Sequence, residues 1–199
     1  MYERDKIIVM TKSVLEGSSD DIFQHMLQSN YREHNMLIYP HLDVLRDIYS
    51  RYCKSHLETG KEIIVHLPTY ENIPSVRRVL TNTGLDVDRF ENDESLVILD
   101  SVKGYFESNP SILSTLEILA KRAEIEKGGG CSVISDMGSF SILNKEKQLL
   151  DYERSLPLRF SSMKCKGFCC YHQADFDRLS ENQKEQLFEH HYKNLIITK

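Results

Sequence analysis

The chain has 199 residues, 40% hydrophobic and 28% charged, with 9 Gly, 5 Pro and a formal net charge of −5. That is the make-up of a globular protein with a sizeable core. It leaves no basic footprint for nucleic acid, and no apolar run approaches the ~20 residues of a membrane helix. Five Cys without a regular framework, behind a charged start (Met1-Tyr2-Glu3-Arg4-Asp5) unlike a signal peptide, point to a reduced, cytoplasmic setting.

Residues 1–30 read as an N-terminal helical extension. Lys6 to Leu15 is a short mixed run. Ser18, Ser19, Asp20 and Asp21 then form a cap with an acidic first turn, and Ile22, Phe23, Met26 and Leu27 make a helical apolar stripe. From residue 31 to 199 short apolar runs alternate with amphipathic stretches. Met36 to Tyr39 is a strand stopped by Pro40, and Leu42 to Glu58 a helix. Ile63 to Leu67 is a second strand, and Pro74 sits in the first turn of a helix running to Gly84. Leu96 to Leu99 is a third strand. Asn109-Pro110 opens a long helix that ends at Gly128-Gly129-Gly130. Cys131 to Ser135 is a fourth strand, and Asn144 caps a helix from Lys145 to Ser155. Lys164 to Tyr171 is a fifth strand. Ser180 caps a helix from Glu181 to His191, and Asn194 to Thr198 is a sixth strand. Strands apolar almost throughout, with helices between them, predict an α/β three-layer fold: a mainly parallel sheet of about six strands covered on both faces. Ligands of such sheets bind beyond the carboxyl ends of the strands.

The first of those ends is Tyr39-Pro40-His41-Leu42, with no Gly, Lys or Ser/Thr to hold a phosphate. Gly128-Gly129-Gly130 cannot substitute, because it precedes a strand and no Lys-Ser/Thr follows it. An ordinary triphosphatase therefore lacks its anchor. The second strand is followed by Tyr70 and Glu71, the third by Asp100 and the fourth by Asp136. Asp136 reads as a loop carboxylate or the holder of a metal-bound water, and Glu71 could pair with it for acid/base work. The Cys165 to His172 run invites a zinc reading, but on a strand Cys165 and Cys169 lie about 13 Å apart, too far to share an ion. Cys170 and His172 share a face, yet two ligands do not make a site. No metal or cofactor is expected, and His190-His191 reads as a helix end that suits the dipole. Tyr39, Tyr70, Tyr105, Phe106, Tyr152 and Tyr171 gather near the strand ends, as an apolar pocket with polar tips would need.

Segments in order carry a family resemblance: His34 to Tyr39, Gly60-Lys61-Glu62, Thr83 to Asp88 leading into Leu96 to Leu99, Val133 to Met137, Leu150-Asp151-Tyr152-Glu153, and Cys170-Tyr171 before Asp175-Phe176. Together, over about residues 31–199, they resemble the MEDS domain, a sensory domain named for methanogens, methylotrophs and a dichloromethane-responsive repressor. The resemblance implies a RecA/KaiC-like fold without its phosphate loop, with the fifth strand between the first and fourth. It implies sensing of small organic molecules and signalling to an attached or partner output module. By position, His34 and Tyr39 match the opening motif, Asp136 the ancestral magnesium-site Asp, and Tyr152-Glu153 and Cys170-Tyr171 the later motifs. The stretch before residue 31 reads as too short and too acidic for a helix-turn-helix like the output modules of many members, so no direct contact with nucleic acid is expected. The lack of a long apolar run sets the same expectation for a membrane.

Three functions follow. The first is a non-catalytic sensory domain that binds a small apolar organic molecule at His34, Tyr39, Tyr70, Glu71, Asp136, Tyr152, Glu153, Cys170 and Tyr171 and signals to a separate output protein. The second is an oligomerisation module docking through Ile22, Phe23, Met26 and Leu27. The third is a residual hydrolase built on Asp136, Glu71 and Cys170.

Overall fold

A strand buried on both sides must lie inside a sheet with a helical layer on each face. A computed structural model, which describes residues 13–198, has that arrangement. Its strands are β1 (Ser13–Gly17), β2 (His34–Tyr39), β3 (Ile63–Leu67), β4 (Leu96–Ile98), β5 (Cys131–Asp136), β6 (Cys165–His172) and β7 (Lys193–Ile197). They form one parallel sheet in the order β1-β7-β2-β6-β5-β3-β4. The central β6 lies between β2 and β5, as the family resemblance implied.

Successive side chains of a strand point to opposite faces, and the sheet has two cores accordingly. Met36 and Ile38 of β2, Ile63, Val65 and Leu67 of β3, and Cys165, Cys169 and Tyr171 of β6 face one side. There they meet α5 (Ile112–Lys127), α7 (Glu146–Ser162) and α9 (Glu181–His190). Leu37, Tyr39, Ile64, Phe168 and Cys170 face the other. That side is covered by α1 (Ser19–Leu27), α2 (Leu42–Leu57), α3 (Ile73–Asn82) and α4 (Val87–Asn92). Two short helices, α6 (Gly138–Ile142) and α8 (Gln173–Asp177), follow β5 and β6 directly, and one π-helical turn spans Lys103–Glu107. The Gly-rich run has a structural role. Gly128 ends α5 at φ +71°, and a Cβ on Gly129 would stand 1.8 Å from the Lys61 carbonyl oxygen. Backbone crosses backbone there, which only Gly allows.

Several expectations change. The sheet has seven strands, because part of the mixed run before Ser18 is β1, paired in parallel with β7. Residues 6–12 of that run lie outside the described residues. The segment 13–27 is built into the main body, with Ile22, Phe23 and Met26 buried in the core shared with α2 and β7. The stripe offered for oligomerisation is therefore spent on intramolecular packing. The third strand stops at Ile98. Lys145, not Asn144, is the N-cap of α7, and α7 runs through Pro157 to Ser162. Asn144 instead takes the left-handed conformation, φ +52°. No helix among the described residues is long and apolar enough to cross a membrane.

At the amino end of the strands Glu62 is buried with a full set of partners. Lys166 Nζ lies 3.0 Å away, and Tyr31 and Ser132 donate hydroxyls at 2.7 and 2.5 Å. Removing one partner of such a pair strands a charge in the interior, at a cost of about 3–5 kcal/mol. Lys166→Met is expected to lower the urea midpoint by that order, and adding Glu62→Gln should recover much of the loss. A double variant as unstable as the single one would show that the packing of Lys166, not its charge, is what counts.

Candidate functional site

Two polar clusters stand on this frame, and the nine residues predicted for one pocket divide among them and three further places. At the carboxyl end of the sheet, Tyr39 closes β2 and Asp136 closes β5. The Tyr39 hydroxyl donates to Asp136 Oδ2 at 2.9 Å, and the Gly138 N–H donates to Oδ1 at 2.9 Å. Asp136 is 1% exposed. Burial raises its pKa, the two donors pull it back, the charges of Asp175 and Glu71 push it up again, and the result is about 7.

Beside this pair lies a largely enclosed cavity of about 40 Å³. Tyr171, Leu149, Met137 and Leu179 supply its apolar wall, and His172, Asp175 and Arg178 its polar one. Three of its lining residues, Ser141, Asp175 and Arg178, belong to a clasp that Tyr70 completes from outside the lining. Tyr70, from the loop after β3, donates its hydroxyl to Asp175 of α8, while Ser141 of α6 donates to Asp175 Oδ1 at 3.1 Å. Arg178 pairs with the same carboxylate at 2.5 Å. The Tyr70 ring lies against Gly138, where a Cβ would come within 2.5 Å of it. His172 links clasp and interior, since its ring sits 5.3 Å from that of Tyr39 and 5.7 Å from that of Tyr70.

The second cluster is inside the α5/α7/α9 face, at Glu153 of α7, which is 0% exposed. His34 Nε2 donates to its Oε2 at 2.8 Å, and the Tyr171 hydroxyl to its Oε1 at 2.5 Å. His191 Nε2 is 3.3 Å from Oε2. Burial opposes ionisation of Glu153, but His191 and His34 outweigh it and hold the carboxyl well below the usual range. Cys169 completes the group: one ligand atom each from His34, Glu153, Cys169 and His191 lies within 4.8 Å of all the others.

The other predicted residues go elsewhere. Glu71 accepts from Arg46 Nε at 3.1 Å, Tyr49 at 3.0 Å and Ser75 at 3.1 Å, which ties α2 to the start of α3. Its hydrogen bonds are thus with those three, and Asp136 keeps separate partners. No hydrogen bond joins the two carboxyls, and Glu71 acts on Asp136 through its charge alone. Cys170 is buried on the opposite face from Cys169. Tyr152 packs edge-on against Tyr105 at 5.3 Å and beside Phe140 at 5.8 Å, not around the cavity. The cavity therefore contains Tyr171 but not Tyr39, Asp136 or Tyr152. Sequence reading does not place Ser141, His172, Asp175, Arg178 or His191 in a site: His172 reads there as half of an incomplete metal pair, His191 as a helix end, and Asp175 only as part of a family motif. His172 ends β6, and Ser141 and Asp175 lie on the short helices that follow β5 and β6, so position at the strand ends is the signal that could have found these three.

The sequence profile of the MEthanogen/methylotroph, DcmR Sensory domain (MEDS) matches residues 33–192. The chain belongs to the MEDS family. This MEDS domain shares its fold with a KaiC-like protein of the hyperthermophilic archaeon Pyrococcus horikoshii OT3. The TM-score is 0.55 at 13% identity, over 79% of this chain and 68% of that one. An uncharacterised protein of Pyrococcus horikoshii, solved with an unknown peptide, gives 0.57 at 11% identity, over 87% and 81%. No curated protein matches the sequence. At these identities the structural likeness establishes the fold alone, and the family match places the MEDS domain among sensory domains.

The raised Asp136 pKa sets a pH dependence. The folded state holds the proton up to about 7, whereas the unfolded chain releases it near 3.8. The contribution to stability is complete below about pH 4 and is lost as pH rises to 7. Asp136→Asn, which cannot ionise, is expected to unfold less readily than wild type at pH 8 relative to pH 4, by up to about 4 kcal/mol. Denaturant unfolding at the two pH values measures this, and parallel stability profiles would refute the assignment.

Proposed function

We propose that this MEDS domain is non-catalytic and takes a small organic molecule into the cavity between β5, β6 and the Tyr70 clasp, passing its occupancy to a separate output protein. What supports the reading is the cavity's position: beyond the carboxyl ends of parallel strands, where ligands of such sheets bind, under a clasp held by side chains alone. Its size limits the occupant. A water needs about 10–15 Å³ of such space, and an engineered cavity of about 150 Å³ admits benzene. The cavity of about 40 Å³ suits a molecule of a few heavy atoms. The lining asks for a small apolar body with a polar end that meets Asp175, Arg178 or His172. The Tyr39-Pro40-His41-Leu42 turn, with no glycine-rich phosphate cradle, weighs against nucleotide hydrolysis. Burial of Ile22, Phe23 and Met26 weighs against the assembly-module reading.

Thermal melting with one- to three-carbon alcohols, amines, carboxylates and halocarbons tests the proposal. A ligand at 100 times its Kd stabilises by ~2.7 kcal/mol. Leu149→Phe, which fills the cavity from its apolar wall, should keep the fold and abolish the shift. The reading fails if no compound raises the melting temperature, or if the shift survives in Leu149→Phe.

A further inference from the structure

We infer that His34, Glu153, Cys169 and His191 form a buried site for one divalent transition-metal ion of the zinc class. This inference does not rest on the ligand-binding reading, because the cluster lies inside the sheet–helix layer and not at the clasp.

Four separate elements converge here: β2 gives His34, α7 Glu153, β6 Cys169, and the residue joining α9 to β7 is His191. None is more than 4% exposed. Two imidazoles, a thiolate and a carboxylate are ligands that zinc accepts, and four protein donors leave no open position, as in a structural site. Bonds of about 2.0–2.3 Å require donor separations of roughly 3.3–3.8 Å in a tetrahedron. Every pair of donors lies within 4.8 Å, so the ligands need draw together by only about 1 Å to close on an ion.

The hydrogen bonding points the same way. His191 Nδ1 lies 2.7 Å from the Leu187 carbonyl oxygen, which can only accept, so Nδ1 carries the hydrogen. In a neutral ring, Nε2 then directs a bare lone pair at Glu153 Oε2 across 3.3 Å, without hydrogen-bond geometry. Two electron-rich atoms facing each other in a dry interior repel unless a metal ion stands between them or Nε2 takes up a proton. A divalent ion also balances the charge, since one thiolate and one carboxylate make the site neutral. Binding expels the Cys169 thiol proton, and each neutral imidazole coordinates through one nitrogen while keeping its proton on the other. The Leu187 carbonyl behind His191 and the Tyr171 hydroxyl on Glu153 are the outer hydrogen bonds that commonly orient metal ligands. The competing arrangement puts a proton on His191 in place of the metal.

The two are separable in the full chain, stripped with a chelator and titrated with cobalt(II). The metal site predicts one ion per chain, visible bands of four-coordinate cobalt and a near-ultraviolet thiolate charge-transfer band, all displaced by zinc. Cys169→Ser should lose the charge-transfer band, and Cys170→Ser, on the other face of the sheet, should keep it. The inference is overturned if cobalt leaves the spectrum unchanged and zinc is not retained through gel filtration, or if the thiolate band persists in a folded Cys169→Ser. Should that variant not fold, X-ray absorption of the zinc-loaded wild type decides. A sulfur at about 2.3 Å supports the site, and a shell without sulfur rejects it.

Discussion

A carboxylate with no exposed surface must find its solvation inside the protein, and Glu153 imposes that requirement on half of the fold. It projects from α7 onto the middle of the sheet and takes hydrogens from His34 on β2 and Tyr171 on β6. His191, its ring tilted against that of His34 at 4.1 Å between centroids, stands on its third side just before β7. Those partners fix the seating of α7 and the registers of β2, β6 and β7 together. A one-residue slip of any strand would turn its partner group to the opposite face and leave a charge buried alone.

The same alternation separates adjacent residues that look equivalent in the sequence. Cys169 faces α7 and the Glu153 cluster, whereas Cys170 faces α2 and lies in register with Asp136. A run of thiols is thereby split between two chemical settings 180° apart. Tyr171, next along β6, returns to the Glu153 side and reaches the end of the sheet, where its ring joins the cavity wall.

The architecture was legible because it is written in local patterns. Apolar runs such as Ile63 to Leu67 and capped helices such as the one at Ser180 need only nearby residues to be recognised. Strand β1 was not legible: Ser-Val-Leu-Glu-Gly is half polar, as an edge strand beside solvent allows, and its partner lies 180 residues away. The site fared worse for the same reason. A spacing argument correctly separates Cys165 from Cys169, but it says nothing about ligands at positions 34, 153, 169 and 191, which only the crossovers bring together. His191 follows the last helix in a His-His pair that suits a helix dipole, and nothing local marks it as fully buried. Tyr152 and Glu153 show the limit from the other side, since neighbours in one motif end in different environments a third of a helical turn apart.

Tyr171 is the physical connection between the two clusters. Tyr171 lines the cavity, and its hydroxyl donates to Glu153. A signal requires a ligand with different affinity for two arrangements of the protein, so it needs a part that can rest in two positions and something that feels the difference. In the clasp of Tyr70, Asp175, Ser141 and Arg178, the Tyr70 and Arg178 side chains are exposed and can rearrange at lower cost than buried groups. The Glu153 network is buried, where even a small shift of one donor is expensive. Tyr171 spans from the yielding end to the stiff one within a single side chain. Displacement of its ring by an occupant would be resisted at its hydroxyl, and that resistance would be carried through Glu153 to α7 and through His34 and His191 to the strands on the far side of the sheet.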